Sequence, residues 1–194
     1  NWIVIESYLD DNLELQIVST INPQDPIRLT EDQAADHSPA WSPEGRSILF
    51  VSDRTGDQEI WLADLDSSEN RFTNISNQPD AQDHAPAWSP NGDQIAWSTL
   101  RDGLEQIVIY SLIDKTSRII APGSQPVFSP DGSMLLVVNE TPNSEFLTVF
   151  SSITGKILYP IVILPGATQS ISWNISTALQ QWLTNNPSIN VEYP

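Results

Sequence analysis

The sequence predicts an all-β protein, a β-propeller of four-stranded antiparallel blades. Three observations lead there. First, "DHSPAWSPEG" at Asp36–Gly45 returns as "DHAPAWSPNG" at Asp83–Gly92, and self-similarity with a period of roughly 40–50 residues marks a repeat architecture. Second, each copy is followed by the same succession of short β-rich runs and turn signals, four runs to a unit. Third, no segment ahead of the C-terminal tail keeps a helical period.

Aligned on the aromatic residue of the motif, the units centre on Trp41, Trp88, Phe128 and, in a degraded copy, Trp173, at spacings of 47, 40 and 45. A Pro-x-Gly turn follows the first three aromatics: Pro43 with Gly45, Pro90 with Gly92, and Pro130 with Gly132. These residues supply the backbone angles of a tight reversal. The next strands read "SILFVS", "QIAWST" and "MLLVVN", each followed by a polar loop ("DRTGDQ", "LRDGLE", "ETPNS"). Third strands read "EIWLADL", "QIVIYSL" and "FLTVFSS", and shorter fourth strands "RFTNIS", "SRIIAP" and "KILYPIV". The predicted blades are therefore 36–76, 83–120 and 124–163. Packing blades around an axis would bury Ile48, Phe50, Ile60 and Leu62 between neighbouring sheets.

Residues 1–30 read as strands two, three and four of a blade with no first strand before them. The missing strand is "TQSISW" at Thr168–Trp173. A propeller closes by building one blade from both termini, so 1–30 plus 168–173 give a split blade and a four-bladed ring. The alternative is an arc of a larger propeller. The tail 174–194 leaves the pattern and carries a predicted short helix over Ser176–Thr184.

Composition narrows the function. Of 194 residues, 25 are Asp or Glu and 8 are Lys or Arg, a formal net charge of −17. Such a surface repels phosphate backbones and anionic membranes and favours basic groups, so the predicted partner is a protein or peptide and not nucleic acid. No apolar run is long enough for a spanning helix, so no direct membrane insertion is expected. The chain has no Cys, which removes disulfides and thiolate chemistry. It starts at Asn1 and reads as an excised or mature piece of something longer.

The residues "PAWSPEGRSILFVSDRTGDQEIWLADLD" at Pro39–Asp66 resemble the TolB-like β-propeller repeat, a WD-like repeat. The likeness is specific at 36–76, good at 83–120 and weaker at 124–163. It implies a scaffold that presents loops to partners in an extracytoplasmic (periplasmic, cell-surface or secreted) protein. It also implies structural roles for Trp41, Pro43, Gly45, Trp88, Pro90, Gly92, Phe128, Pro130, Gly132 and Trp173.

Catalysis is not expected. There is no Gly-x-Ser-x-Gly, no His-Glu-x-x-His and no phosphate loop, and the only two His are His37 and His84. Those two define the one constellation of interest. Asp36-His37 and Asp83-His84 precede the innermost strand on adjacent blades, with Gly123-Ser124 and Thr168-Gln169 at the equivalent places. Carboxylate and imidazole can hold a divalent cation, so Asp36, His37, Asp83, His84 and Gln169 form a candidate ligand site at the channel mouth. The first four are its candidate metal ligands, although no cofactor is otherwise expected. The competing reading is structural: repetition at equivalent positions is what fixing blade geometry produces. The acidic stretches Asp53–Glu59 and Asp64–Asn70 read as hairpin turns and not as calcium loops. Two functions follow: a non-catalytic interaction module or, as the alternative, a metal- or small-ligand-binding propeller serving as the accessory domain of a hydrolase or lyase.

Overall fold

A computed structural model describes residues 1–141 and 144–161. Among them there are fifteen strands and no helix. The first sheet has three strands, β1 (Trp2–Leu9), β2 (Asn12–Ser19) and β3 (Ile27–Arg28). The second holds β4 (Asp36–Trp41), β5 (Ser47–Ser52), β6 (Glu59–Asp64) and β7 (Phe72–Asn74). The third holds β8 (Gln82–Trp88), β9 (Gln94–Arg101), β10 (Leu104–Ser111) and β11 (Thr116–Pro122). The fourth holds β12 (Ser124–Phe128), β13 (Met134–Thr141), β14 (Ser144–Ser151) and β15 (Ile157–Ile161). Within each sheet, strands adjacent in sequence pair antiparallel. The chain is the predicted all-β propeller built from four-stranded antiparallel blades.

Side chains alternate across a strand, so the second and third sheets each serve two cores. On β5, Ile48 and Phe50 join Leu15, Ile17 and Leu29 of the first sheet, while Leu49 and Val51 join Ile95, Trp97 and Val108 of the third. This burial on both faces explains why "SILFVS" is a continuous apolar run and not an alternating one. A third core sets Ile107, Ile109 and Ala121 against Phe128, Leu135, Val137 and Phe150. At about 1.5–3 kcal/mol per large apolar side chain buried, these inter-sheet cores supply the main stabilising term.

The motif aromatics enter these cores. Trp41 packs against the first, Trp88 against the second and Phe128 within the third. Trp88 also donates its indole N–H to the Ala40 carbonyl across the inter-sheet gap at 3.1 Å. The turn after each aromatic closes by one scheme. The glycine N–H of Gly45, Gly92 and Gly132 donates to the carbonyl of Ser42, Ser89 and Ser129, with the glycines at φ 72°, 76° and 73°. The buried hydroxyls of those serines accept the N–H groups of Ser47, Gln94 and Met134 at 3.0, 2.9 and 2.9 Å.

One local expectation is corrected. The predicted loop "LRDGLE" is only the two-residue turn Asp102–Gly103, at φ 52° and 76°, because Arg101 and Leu104 are already paired in the β9–β10 ladder. Two consecutive left-handed residues form the tight turn whose twist suits a hairpin. The expected closing strand Thr168–Trp173, with Gln169 and Trp173, the end of blade 124–163 and the helix of the 174–194 tail lie outside the described residues.

Candidate functional site

Strands β4, β8 and β12 are the first strands of their sheets; β4 contacts β8 and β8 contacts β12. Each carries an irregularity at the same place, with register jumps between His37 and Ala40, His84 and Ala87, and Ser124 and Val127. The residues responsible are Ser38, Ala85 and Gln125, at φ 53°, 51° and 53°. All three stand immediately before a proline, where extended backbone is the ordinary preference, and the left-handed region costs a side-chain-bearing residue about 1 kcal/mol. Two of them regain a hydrogen bond from the preceding sheet. The Ser38 N–H donates to the Glu6 carboxylate at 2.9 Å, and the Gln125 N–H to the Ser98 hydroxyl at 2.8 Å. The bulges front an open groove of about 590 Å³ whose wall includes Ser38, His84, Pro86, Gln125 and Pro126.

The candidate ligands are positioned just before these bulges, and they differ. Asp36 is fully buried, and the Arg54 Nη2 donates to its two oxygens at 2.9 and 2.8 Å. The guanidinium in turn sits in an aromatic slot, with its carbon 5.3 Å from the Phe50 ring centroid, 4.8 Å from Trp61 and 5.2 Å from Phe72. Its Nε donates to the Ser52 hydroxyl at 2.8 Å.

Asp83, at the equivalent position one sheet on, is also fully buried, yet neither carboxylate oxygen has a hydrogen-bond partner among the described residues. Thr99, Ser76 and the Trp97 indole lie against it without closing a well-formed hydrogen bond. Burial pushes its pKa above the ordinary carboxylate range, outweighing those neighbours and His84. Glu59 is raised by the same cause, against hydrogen bonds from Ser76 and the Gln78 N–H.

The third position is Gly123, where no side chain fits. A Cβ there would lie 2.4 Å from the Val138 carbonyl oxygen and 2.5 Å from Val137 Cγ1.

The two histidines bond within their own sheets. His37 Nδ1 lies 3.0 Å from the Ser38 hydroxyl, and His84 Nε2 lies 3.5 Å from Glu105 Oε1. Burial raises Glu105, and His84 partly offsets the effect. Asp36, His37, Asp83 and His84 do not converge, and among the described residues no group of three or more His, Asp and Glu assembles as a metal site. With both Asp36 oxygens held by Arg54, the set does not fit a divalent cation.

The residue that sequence reading passed over is Arg54, taken only as part of a hairpin turn. A signal was present: Asp36 and Arg54 are 18 residues apart, and so are Asp83 and Arg101. The hairpins make the outcomes differ. Strand β5 ends at Ser52, and the six-residue loop 53–58 turns Arg54 back over its own sheet. In the third sheet β9 runs straight on, so Arg101 is a strand residue, exposed at the rim of a cleft of about 300 Å³ that Asp83 lines.

Comparison with known proteins agrees with this architecture. Residues 1–177 match the family described as TolB beta propeller domain. The Tol-Pal system protein TolB of Bordetella pertussis is 36% identical over 56 residues, covering 29% of this chain and 13% of that protein. The matched stretch thus spans about an eighth of the length of the curated relatives. Among solved structures, TolB from Acinetobacter baumannii aligns with a TM-score of 0.68 at 21% identity, covering 79% of this chain and 39% of that one. An oligogalacturonate lyase in complex with manganese aligns at 0.61 and 15% identity, covering 85% and 44%, and a puromycin hydrolase at 0.64 and 17%, covering 80% and 26%. At these identities the likeness is one of fold.

Proposed function

The chain belongs to the TolB β-propeller family, and on that premise we propose that it is a non-catalytic protein-interaction module of a larger extracytoplasmic protein or complex. The observation that carries the reading is the groove over β8 and β12. Its bulges recur at one place in three sheets, and the chemistry-bearing side chains beside them are engaged within their own sheets: Asp36 with Arg54, His37 with Ser38, His84 with Glu105. What remains for a partner is a proline-lined wall, not a reacting group. Fold alone does not decide between a scaffold and an enzyme; the lack of a nucleophile motif and of converging metal ligands among the described residues supports the scaffold. The net charge of −17 favours a basic protein or peptide and a salt-sensitive encounter. Membership in a multi-protein system, as the name of the Tol-Pal relatives indicates for them, belongs to the same proposal.

Selection of random display peptides on the immobilised chain tests it. The expected result is enrichment of basic peptides whose affinity falls as salt rises and is reduced by Gln125→Arg in the groove wall. Enrichment no greater than on an unrelated protein of equal negative charge would refute the reading.

A further inference from the structure

The slot that holds the Arg54 guanidinium has a counterpart in the third sheet, position by position. In the second sheet Asp36 pairs with Ser52, Phe50 with Trp61, and Ala63 with Phe72. In the third, Asp83 pairs with Thr99, Trp97 with Val108, and Tyr110 with Ser117. The floor is therefore the same, a buried aspartate beside a hydroxyl, and one aromatic wall is kept as Trp97. The other two walls shrink from Trp61 to Val108 and from Phe72 to Ser117. These smaller residues line the cleft of about 300 Å³ over Asp83. That volume admits a side-chain head group.

We propose that this cleft receives an arginine side chain of a protein partner, its guanidinium taking over Asp83 the place that Arg54 takes over Asp36. Three features argue for that occupant. The Asp83 carboxylate is buried and has both oxygens unpartnered, the costly state that a charge-assisted pair relieves. The buried Trp97 lines the cleft, and an aromatic ring is what guanidinium groups stack on. Glu59 lies close enough to act on Asp83 electrostatically, adding to the negative field. Of the two arginines at the rim, Arg118 is tied to the Ser152 carbonyl at 2.7 Å. Arg101 makes no ion pair among the described residues.

The inference rests on the interaction-module reading and narrows it to one anchor. The test is a titration of the ¹⁵N-labelled chain with the peptide acetyl-Gly-Arg-Gly-amide, following the Trp97 indole N–H by NMR. The citrulline peptide serves as the uncharged isostere. Saturable movement of the Trp97 signal is expected at about millimolar peptide, the range for a single anchoring side chain. It should weaken at least about tenfold with citrulline or in Asp83→Asn, as loss of a buried charge partner does. Val108→Trp, which rebuilds the aromatic wall of the second sheet, should block binding in a folded chain. An unmoved Trp97 signal at saturating solubility would overturn the proposal. So would binding that emerges only in Arg101→Gln, which would mean the slot is filled from within. Display-selected basic peptides that still bind in either case would leave the module reading standing and remove only the anchor.

Discussion

The Arg54 guanidinium reaches back to Asp36 and donates from Nη2 to Oδ1 at 2.9 Å and Oδ2 at 2.8 Å. This pair joins the end of one hairpin to the start of the innermost strand, and it is buried on the aspartate side. Removing Asp36 leaves the largely buried Arg54 with only the half-exposed Asp32, at 3.3 Å, to face its charge. Asp36→Ala is therefore expected to cost about 3 kcal/mol in urea denaturation, and the double variant Asp36→Ala/Arg54→Met clearly less, because the aromatic slot accepts an apolar chain. Equal losses in the two variants would show that the pair is not coupled.

Asp83 should behave in the opposite way. Burial raises its folded pKa above the ordinary carboxylate range. Its contribution to stability is then fully present below that range and is lost as pH rises through the folded value. Asp83→Asn should stabilise the chain at pH 7 and flatten the decline of stability as pH rises above the ordinary carboxylate range. Some decline should persist, because burial raises Glu59 and Glu105 too. An unchanged pH slope in Asp83→Asn would contradict this account.

Gly123 stands where the other two sheets carry aspartate, at φ 117°, with Val138 O, Val137 Cγ1 and Asn139 Nδ2 within 2.7 Å of any added Cβ. Gly123→Ala should destabilise by about 2–4 kcal/mol, combining a forced left-handed backbone with overpacking. Thermal unfolding reports the loss directly; a melting temperature within a degree of wild type would be the contrary result.

The bulges make a smaller, signed claim. Ala85 sits at φ 51° before Pro86, so Ala85→Gly exchanges backbone strain for unfolded-state entropy and should stabilise by about 0.5 kcal/mol. Ala87→Gly, two residues on and back in register with Ala96, should instead destabilise by about 0.5–1 kcal/mol. The opposite ordering in chemical denaturation would mean the left-handed turn is not what these strands share.

The fold was legible because it is written more than once. The Trp-Ser-Pro-x-Gly turn, the doubly buried "SILFVS" and its counterparts recur in step, and each recurrence removes an ambiguity that a single short apolar run would leave. The site was less legible. The 18-residue spacing of Asp36 with Arg54 and of Asp83 with Arg101 was in the sequence, but which arginine turns inward depends on hairpin length. The sequence predicts a longer loop in both sheets, whereas the β9–β10 ladder sets Arg101 opposite Leu104. The left-handed Ser38, Ala85 and Gln125 ran against the preference of residues before proline, so no local rule could have found them. Likewise, a repeated Asp-His pair suggested one shared site. Its two copies have separate partners, Arg54 and Ser38 for the first and Glu105 for the His of the second.

We propose that the groove over β8 and β12 is a recognition surface and not a metal centre. Calorimetric titration of the chelator-stripped chain with Zn²⁺, Mn²⁺ and Ca²⁺, beside the His37→Ala/His84→Ala variant, tests it most directly. The account expects no stoichiometric binding heat from either protein, and unchanged selection of basic peptides by the variant. Tight one-to-one binding by the wild type that disappears in the variant would contradict it and make the axial Asp-His pairs a metal site.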